Sequence, residues 1–321
     1  MIQFSTFPTP FAPIGEPLRY TLTGISTDRV DLFIRTTAGI TLGTKRFTDC
    51  TSCTFDIAPL LRRSLRFNPT RTTTGFAAVD DRVLAVEVVA QAGTELVAAP
   101  VCTILPTAHA VKTPTLLTTM PLARPLAPDA CDQLTFVVAE STVVTVTAKG
   151  NGKQNQRQYL TPAIGLQCFV LQAADFPEAE QLTVEIEGLA TVEYAVLPLG
   201  EEALRLAWRS EAGSIEHYTF PVVKRVQMTV EKHRAYGAKG YATALLTGEE
   251  SLTIGSAHET PAVMHALSEL LLAREVWWVN EEGYVPIDLM TDSAEIHRHG
   301  AMRTLSVEIR STLKNNRLWS C

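Results

Sequence analysis

The chain has 321 residues, 46% of them apolar and 19% charged, with a net charge of −6. That length can hold two or three domains with cores of their own, and the apolar share excludes a largely disordered chain. The acidic balance excludes a general attraction to nucleic acid or to an anionic membrane, and no apolar run approaches the roughly 20 residues that span a bilayer.

The opening stretch, MIQFSTFPTPFAPIG, has neither a basic leader nor an apolar core, so a secretion signal of the usual kind is not expected. From there to about residue 110 the pattern is that of strands. Val30, Leu32 and Ile34 alternate with Arg29, Asp31 and Arg35, and Leu84, Val86 and Val88 repeat the theme with Glu87 outward. Turn signals at Gly39, Gly43 and Gly93 separate such runs, as in a β-sandwich. One segment differs: Asp56 can cap a short helix whose Leu60, Leu61 and Leu65 form an apolar stripe.

Prolines then cluster at 100, 106, 114, 121, 125 and 128. Proline donates nothing to a ladder, so no central strand runs here. Residues 111–130 read as a linker, with an edge strand around Leu116 and Leu117. A second sandwich follows over 131–208. Its strands are marked by Leu134/Phe136/Val138, Val144/Val146, Leu182/Val184/Ile186 and Val192/Tyr194/Val196, with Thr183, Glu185 and Glu193 toward solvent. Gly150 to Arg157 is a polar hairpin tip between two of them.

Residues 209–321 change character. Val226/Met228/Val230 and Leu252/Ile254 read as strands. Thr260-Pro261 then starts a helix, with Thr as N-cap and Pro at the first helical position. Val263, Leu267, Leu270 and Leu271 give it an amphipathic stripe. Strands resume at Val276–Val279, Tyr284–Leu289 and Leu305/Val307/Ile309. The expected fold is therefore mainly β: two β-sandwich domains followed by an α+β barrel-like domain with one amphipathic helix.

Candidate chemistry is sparse. The six cysteines are too thinly spread for a disulfide scaffold and read as reduced thiols in the core. Only Cys50 and Cys53 are close; they read as turn cysteines, with an incidental disulfide as the alternative, and zinc would need a second ligand pair that the sequence lacks. His297 and His299 could form half a metal site, but their polar surroundings favour a solvated turn. Gly150-Asn-Gly-Lys153 lacks the length and the following Ser/Thr of a phosphate loop. Glu201/Glu202, Glu249/Glu250 and Glu281/Glu282 are neighbours that point apart in a strand and cannot share a proton site. No cofactor, metal or catalytic residue is expected. Two features instead suit association: Trp277-Trp278, where alternation buries one ring and exposes the other, and the basic set Arg62, Arg63 and Arg66.

The segment Arg205–Pro221, RLAWRSEAGSIEHYTFP, joins a Trp strand, a Gly-containing turn and a Glu-x-Tyr-Thr-Phe strand. It resembles a phrase in prophage-encoded structural proteins of gut Bacteroidetes, which carry β-sandwich modules before it and a further domain after it. The order strands, one helix, strands over the last hundred or so residues resembles the barrel-with-helix domain of phage tail-tube, distal-tail and baseplate-hub proteins. The resemblance implies a non-enzymatic structural component of a phage tail, baseplate or related injection apparatus, assembled in the bacterial host cytoplasm and carried in the virion. Its partners would be copies of itself in a ring and neighbouring tail or baseplate proteins, without sequence-specific nucleic-acid binding or membrane insertion. The alternative is a cell-surface or periplasmic multi-sandwich module that binds glycan or protein.

Overall fold

The computed structural model describes residues 1–69, 72–79, 81–200, 202–295 and 303–312. His297, His299 and Cys321 lie outside these, as do Arg71 and Glu201. The molecule is mainly β and of the sandwich type, with five sheets and three main apolar cores among the described residues.

The first sandwich is built from β1 (Gln3–Thr6), β2 (Phe11–Pro13), β3 (Arg19–Thr23), β4 (Arg29–Thr36), β5 (Thr41–Thr48) and β6 (Ser52–Asp56). After α1 (Ala58–Leu61) and an excursion through β7 (Gly75–Ala77), it is completed by β8 (Leu84–Ala92), β9 (Glu95–Ala98) and β10 (Cys102–Leu105). One sheet has the order β1-β3-β6; the other runs β2-β10-β8-β4-β5, with β9 on β8. Val30, Leu32 and Ile34 of β4 and Val86 and Val88 of β8 point into the core, against Tyr20, Leu22 and Phe55 of the facing sheet. Their neighbours pair outside: Arg46 with Asp31 at 2.7 Å and Arg35 with Glu87 at 2.9 Å. Helix α1 is a single turn. Asp56 Oδ1 accepts from the amides of Ala58 and Leu18, at 2.9 and 2.8 Å. Leu61 and Leu65 are buried, whereas Leu60 is exposed, so the expected three-leucine stripe is two leucines wide.

Strand β7 belongs to the second sandwich, where it pairs with β16 (Gly165–Gln172). The other members, in chain order, are β11 (Thr115–Leu117), β12 (Ala123–Leu126), β13 (Cys131–Val138), β14 (Val143–Gly150), β15 (Lys153–Leu160), β17 (Gln181–Ile186) and β18 (Ala190–Val196). The sheets are β11-β13-β16-β7 and β12-β18-β17-β14-β15. Residues 111–130, expected as a linker, thus contribute two edge strands. Pro125 sits in β12, the edge strand parallel to β18, where a missing donor costs no ladder bond. Between β14 and β15, Asn151 and Gly152 have φ of 51° and 70°, the left-handed pair of a two-residue hairpin turn. Strands β13 and β16 are buried along their whole length. Their inner face meets the sandwich core and their outer face is covered by Phe11, Leu105, Val279 and Tyr284 from the bodies on either side.

The third body contains β19 (Leu204–Arg209), β20 (Ile215–Phe220), β21 (Val222–Gly237), β22 (Gly240–Gly255), α2 (Pro261–Ser268), β23 (Val276–Asn280), β24 (Gly283–Leu289) and β25 (Ser306–Ser311). Its sheet has the antiparallel order β20-β19-β23-β24-β25-β22-β21. The two outer members are consecutive in the chain with only Pro221 between them, so the sheet must curl back on itself like a barrel. Helix α2 fills the inside. Thr260 Oγ1 accepts from the Val263 amide and Pro261 opens the first turn; Met264, Leu267 and Leu270 are buried with Trp208 and Phe220.

Candidate functional site: a buried ionic joint and a projecting ribbon

The hairpin β19–β20 is where the three bodies meet. Its turn is closed by Ser210 and Ser214, whose hydroxyl oxygens lie 2.7 Å apart. Gly213 has φ +84°, and a Cβ there would stand 3.0 Å from Pro106 of the first body, so both its conformation and its packing require glycine. The Glu211 carbonyl accepts from the Ala108 amide at 2.9 Å.

On the other side, this hairpin meets the second sandwich through buried charges. Asp132, on β13, is 1% exposed. Arg124 Nη1 donates to its Oδ2 at 3.0 Å, and Tyr194 O–H donates to the same oxygen at 2.8 Å. His217 Nδ1 stands 3.1 Å from Asp132 Oδ1, and Arg205 Nη2 stands 3.7 Å from it. The far side of the imidazole, Nε2, is 2.9 Å from Tyr284 Oη, which also receives a bond from Gln133 Nε2 at 2.9 Å. Nδ1 faces the carboxylate, which only accepts, and Nε2 faces the tyrosine hydroxyl. Burial favours the neutral imidazole. Glu216, equally buried, accepts from Ser214 Oγ at 2.7 Å, Thr118 Oγ1 at 3.0 Å and the Thr119 amide at 3.2 Å, with Arg124 Nη1 at 3.7 Å. Two carboxylates, two guanidiniums and a neutral imidazole form a charge-balanced set across β12, β13, β18, β19, β20 and β24.

The two acids respond oppositely. Burial pushes both up, but Arg124, His217 and Arg205 together overcome it and hold Asp132 well below the usual carboxylate range. For Glu216 burial prevails over Arg124 and Ser214, and its pKa is raised. Burial lowers that of His217 against the pull of Asp132. The string Asp132–His217–Tyr284 has the order of a proton relay, yet it ends on a phenol hemmed in by Gln133 and Cys131. A concavity of about 310 Å³ lies elsewhere, beside the β14–β15 hairpin, and none of these groups lines it. What the network can do is fix one orientation of the barrel on the second sandwich.

The second feature is β21–β22. Strand β22 pairs with β25 only from Ser251 to Gly255. Beyond Glu250 the two strands pair only with each other among the described residues, and Met228 to Gly237 spans roughly 30 Å at about 3.3 Å per residue. Val226, Met228 and Val230 share one face and are 62, 49 and 45% exposed. Tyr236 and Tyr241 pair across the tip, ring centroids 4.9 Å apart. The outer edge of β21 has no strand partner among the described residues.

Of the residues expected at an interface, Arg62, Arg63 and Arg66 are exposed without a carboxylate within 4 Å among the described residues. Trp278 is 36% exposed, while Trp277 is buried with Phe67, Ala207 and Ile215; it is core, and of the two rings Trp278 is the one open to solvent. Phe67, the chain neighbour of Arg66, packs against Trp277. Cys50 and Cys53 are unpaired thiols, and burial, aided by Cys50, pushes Cys53 up to about 11. Among the described residues no group of three His, Cys, Asp or Glu could hold a metal ion, and no helix is long and apolar enough to cross a membrane. The sequence reading missed Arg124, Asp132, Glu216, His217 and Tyr284 as a set. Its signal was faint: single polar or charged residues near the starts of strands, each ordinary in its own segment.

No protein-family model and no curated protein matches the chain. Among solved structures it is similar to a glycosyl hydrolase family 2 member from Bacteroides cellulosilyticus, at 11% identity over 60% of this chain and 25% of that one, with a TM-score of 0.18. The chain spans about a quarter of that protein's length. It is also similar to the plexin A4 extracellular region, at 10% identity, covering 78% of this chain and 21% of that one, TM-score 0.17. The I9–I11 tandem of titin gives 10% identity, 80% and 96% coverage and a TM-score of 0.16. Likenesses at this level carry no argument about function.

Proposed function

We propose that this chain is a non-enzymatic structural subunit that acts by association with copies of itself, in a phage tail, baseplate or related injection apparatus. The observation that carries this reading is the β21–β22 ribbon. An isolated two-stranded ribbon is marginal in water, and a long, apolar, unpaired edge invites uncontrolled pairing. Met228 and Val230 on such an arm, with Val226 at its root, make sense for a surface that is covered in the working state. The buried joint supports the reading, because an arm that must find a neighbour is useful only if its root is held at one angle. The sequence phrase at Arg205–Pro221 supplies the assignment to a tail or injection apparatus, with the barrel toward the ring axis and the sandwiches outside. The concavity does not favour a glycan-binding module: the ring of Phe176 beside it is capped by Arg157 at 4.6 Å, which leaves no open stacking platform there.

The test is the particle. Mass spectrometry of purified virions from the host should find the chain in stoichiometric amount, and a Val226→Thr/Met228→Thr/Val230→Thr variant should fold yet drop out of the assembly. Virions without the chain, with the protein instead at the cell surface or in the periplasm, would overturn the reading.

A further inference from the structure

The ribbon is basic although the molecule is acidic. Over 222–255 there are five Lys/Arg (Lys224, Arg225, Lys232, Arg234 and Lys239) against three Glu, a net of +2, which leaves −8 for the rest of a chain of −6. None of the five cations has a carboxylate within 4 Å among the described residues. Lys232 continues the alternation of Val226, Met228 and Val230, so charge and apolar stripe share one face. These charges are unmatched among the described residues, and the geometry of the fold offers their complement on another part of it.

That complement is the outer face of the sheet β12-β18-β17-β14-β15. Leu182, Val184 and Ile186 of β17 point inward, so Glu185 faces out, with Glu193 of β18 beside it one pair away (Thr183↔Glu193, Glu185↔Thr191). Glu187 follows at the end of β17. All three are exposed, and none has a basic partner within 4 Å among the described residues. The face's cation, Lys149, lies opposite Gln181, about 13 Å along the strand from Glu185.

Resting on the structural-subunit reading, we propose that the ribbon of one copy docks on the Glu185/Glu187/Glu193 face of the second sandwich of the next copy. The proposed contact is head-to-tail, each copy giving its ribbon to one neighbour and its face to the other. Repetition therefore closes a ring or extends a filament, according to the rotation between copies.

The full-length protein tests this by charge exchange, read by sedimentation velocity over a concentration series. The native chain should self-associate, and more weakly as salt rises from about 50 to about 500 mM. A ribbon-reversed variant, Lys232→Glu/Arg234→Glu, and a face-reversed variant, Glu185→Lys/Glu193→Lys, should each associate about tenfold or more weakly, because like charges then meet. All four positions are exposed, so circular dichroism should show both folded. An equal mixture of the two should recover association, since each ribbon then finds a face of opposite sign. Association that ignores both reversals, or a mixture that fails to recover it, overturns this contact while leaving self-assembly standing. No self-association at low salt overturns it also, and the virion composition then decides separately whether the subunit reading survives. Binding of a duplex DNA probe that the ribbon-reversed variant loses, without self-association, would assign the cations to another polyanion.

Discussion

Replacing Asp132 by Asn keeps the shape of the side chain and removes its charge. Tyr194 keeps an acceptor, but Arg124, at 3.0 Å, and Arg205, at 3.7 Å, lose their nearest counter-charge. Glu216 alone would then face two guanidiniums in a site where Asp132 and Glu216 are each 1% exposed. Breaking a buried pair from one side costs about 3–5 kcal/mol, which at a urea dependence of roughly 2–3 kcal/mol per M lowers the midpoint by about 1–2 M. The assay is equilibrium urea unfolding at neutral pH, followed by both tryptophan fluorescence and far-ultraviolet circular dichroism to show whether the transitions coincide. Asp31→Asn is the control. It also removes a carboxylate bonded to two arginines, Arg29 and Arg46, but on the solvent face of β4, and its midpoint should stay close to the native one. If Asp132→Asn loses less than about 1 kcal/mol, the range of exposed pairs, the joint is hydrated and the argument from burial fails.

Three further outcomes are expected. His217 is lowered by burial, so the unfolded chain binds the proton more readily and the group's contribution, present above the unfolded value of about 6.5, is lost as pH falls. The stability difference between the native chain and His217→Gln should therefore shrink from about pH 7.5 to about pH 5.5; a constant difference would mean that the imidazole does not titrate with opening. Glu216 is shifted up and pulls the native curve the other way, which is why the comparison with the variant is the informative measurement. Gly150→Ala places a Cβ 1.8 Å from the Glu178 carbonyl oxygen and should cost about 1–3 kcal/mol by overpacking; in thermal denaturation an unchanged midpoint would show that the 178–180 segment yields freely. Trp277→Ala should cost about 3–5 kcal/mol and Trp278→Ala clearly less, because the first ring is enclosed by Phe67, Ala207 and Ile215 while the second is 36% exposed; equal losses in urea titration would refute that division.

Much of the architecture was legible because local chemistry and tertiary burial agree. Val30/Leu32/Ile34 alternate as a half-buried strand must, Thr260-Pro261 announces a capped helix, and the Asn151-Gly152 turn has the residues its φ values need. What stayed hidden depends on partners far along the chain. The three residues of β7 are too few to show a period, and nothing local says that they pair with β16 rather than with the sandwich around them. Val226, Met228 and Val230 have a core strand's alternation yet face solvent, since period two reports that a face is apolar and not what covers it. Asp132 and His217 each look ordinary in their own strands. Only the meeting of β13 with β20, and the approach of Tyr194 and Tyr284 from two other strands, turns them into a network. The 111–130 stretch misled for a related reason: proline excludes a central strand but permits an edge, and β12 is an edge.

Phe220 and Val222 are separated by Pro221 alone, so the strand that carries Glu216 and His217 continues directly into the one that forms the arm. Any load on the arm reaches the joint through a single residue whose ring fixes its own φ, with no loop in between to absorb it. A pull on the tip is thus borne in the first instance by the β21–β22 ladder and then, one bend further on, by the salt-linked face of β20. The molecule has in effect a crank whose handle is the tyrosine-tipped ribbon and whose axle is the pair of side chains seated on Asp132 and Arg124.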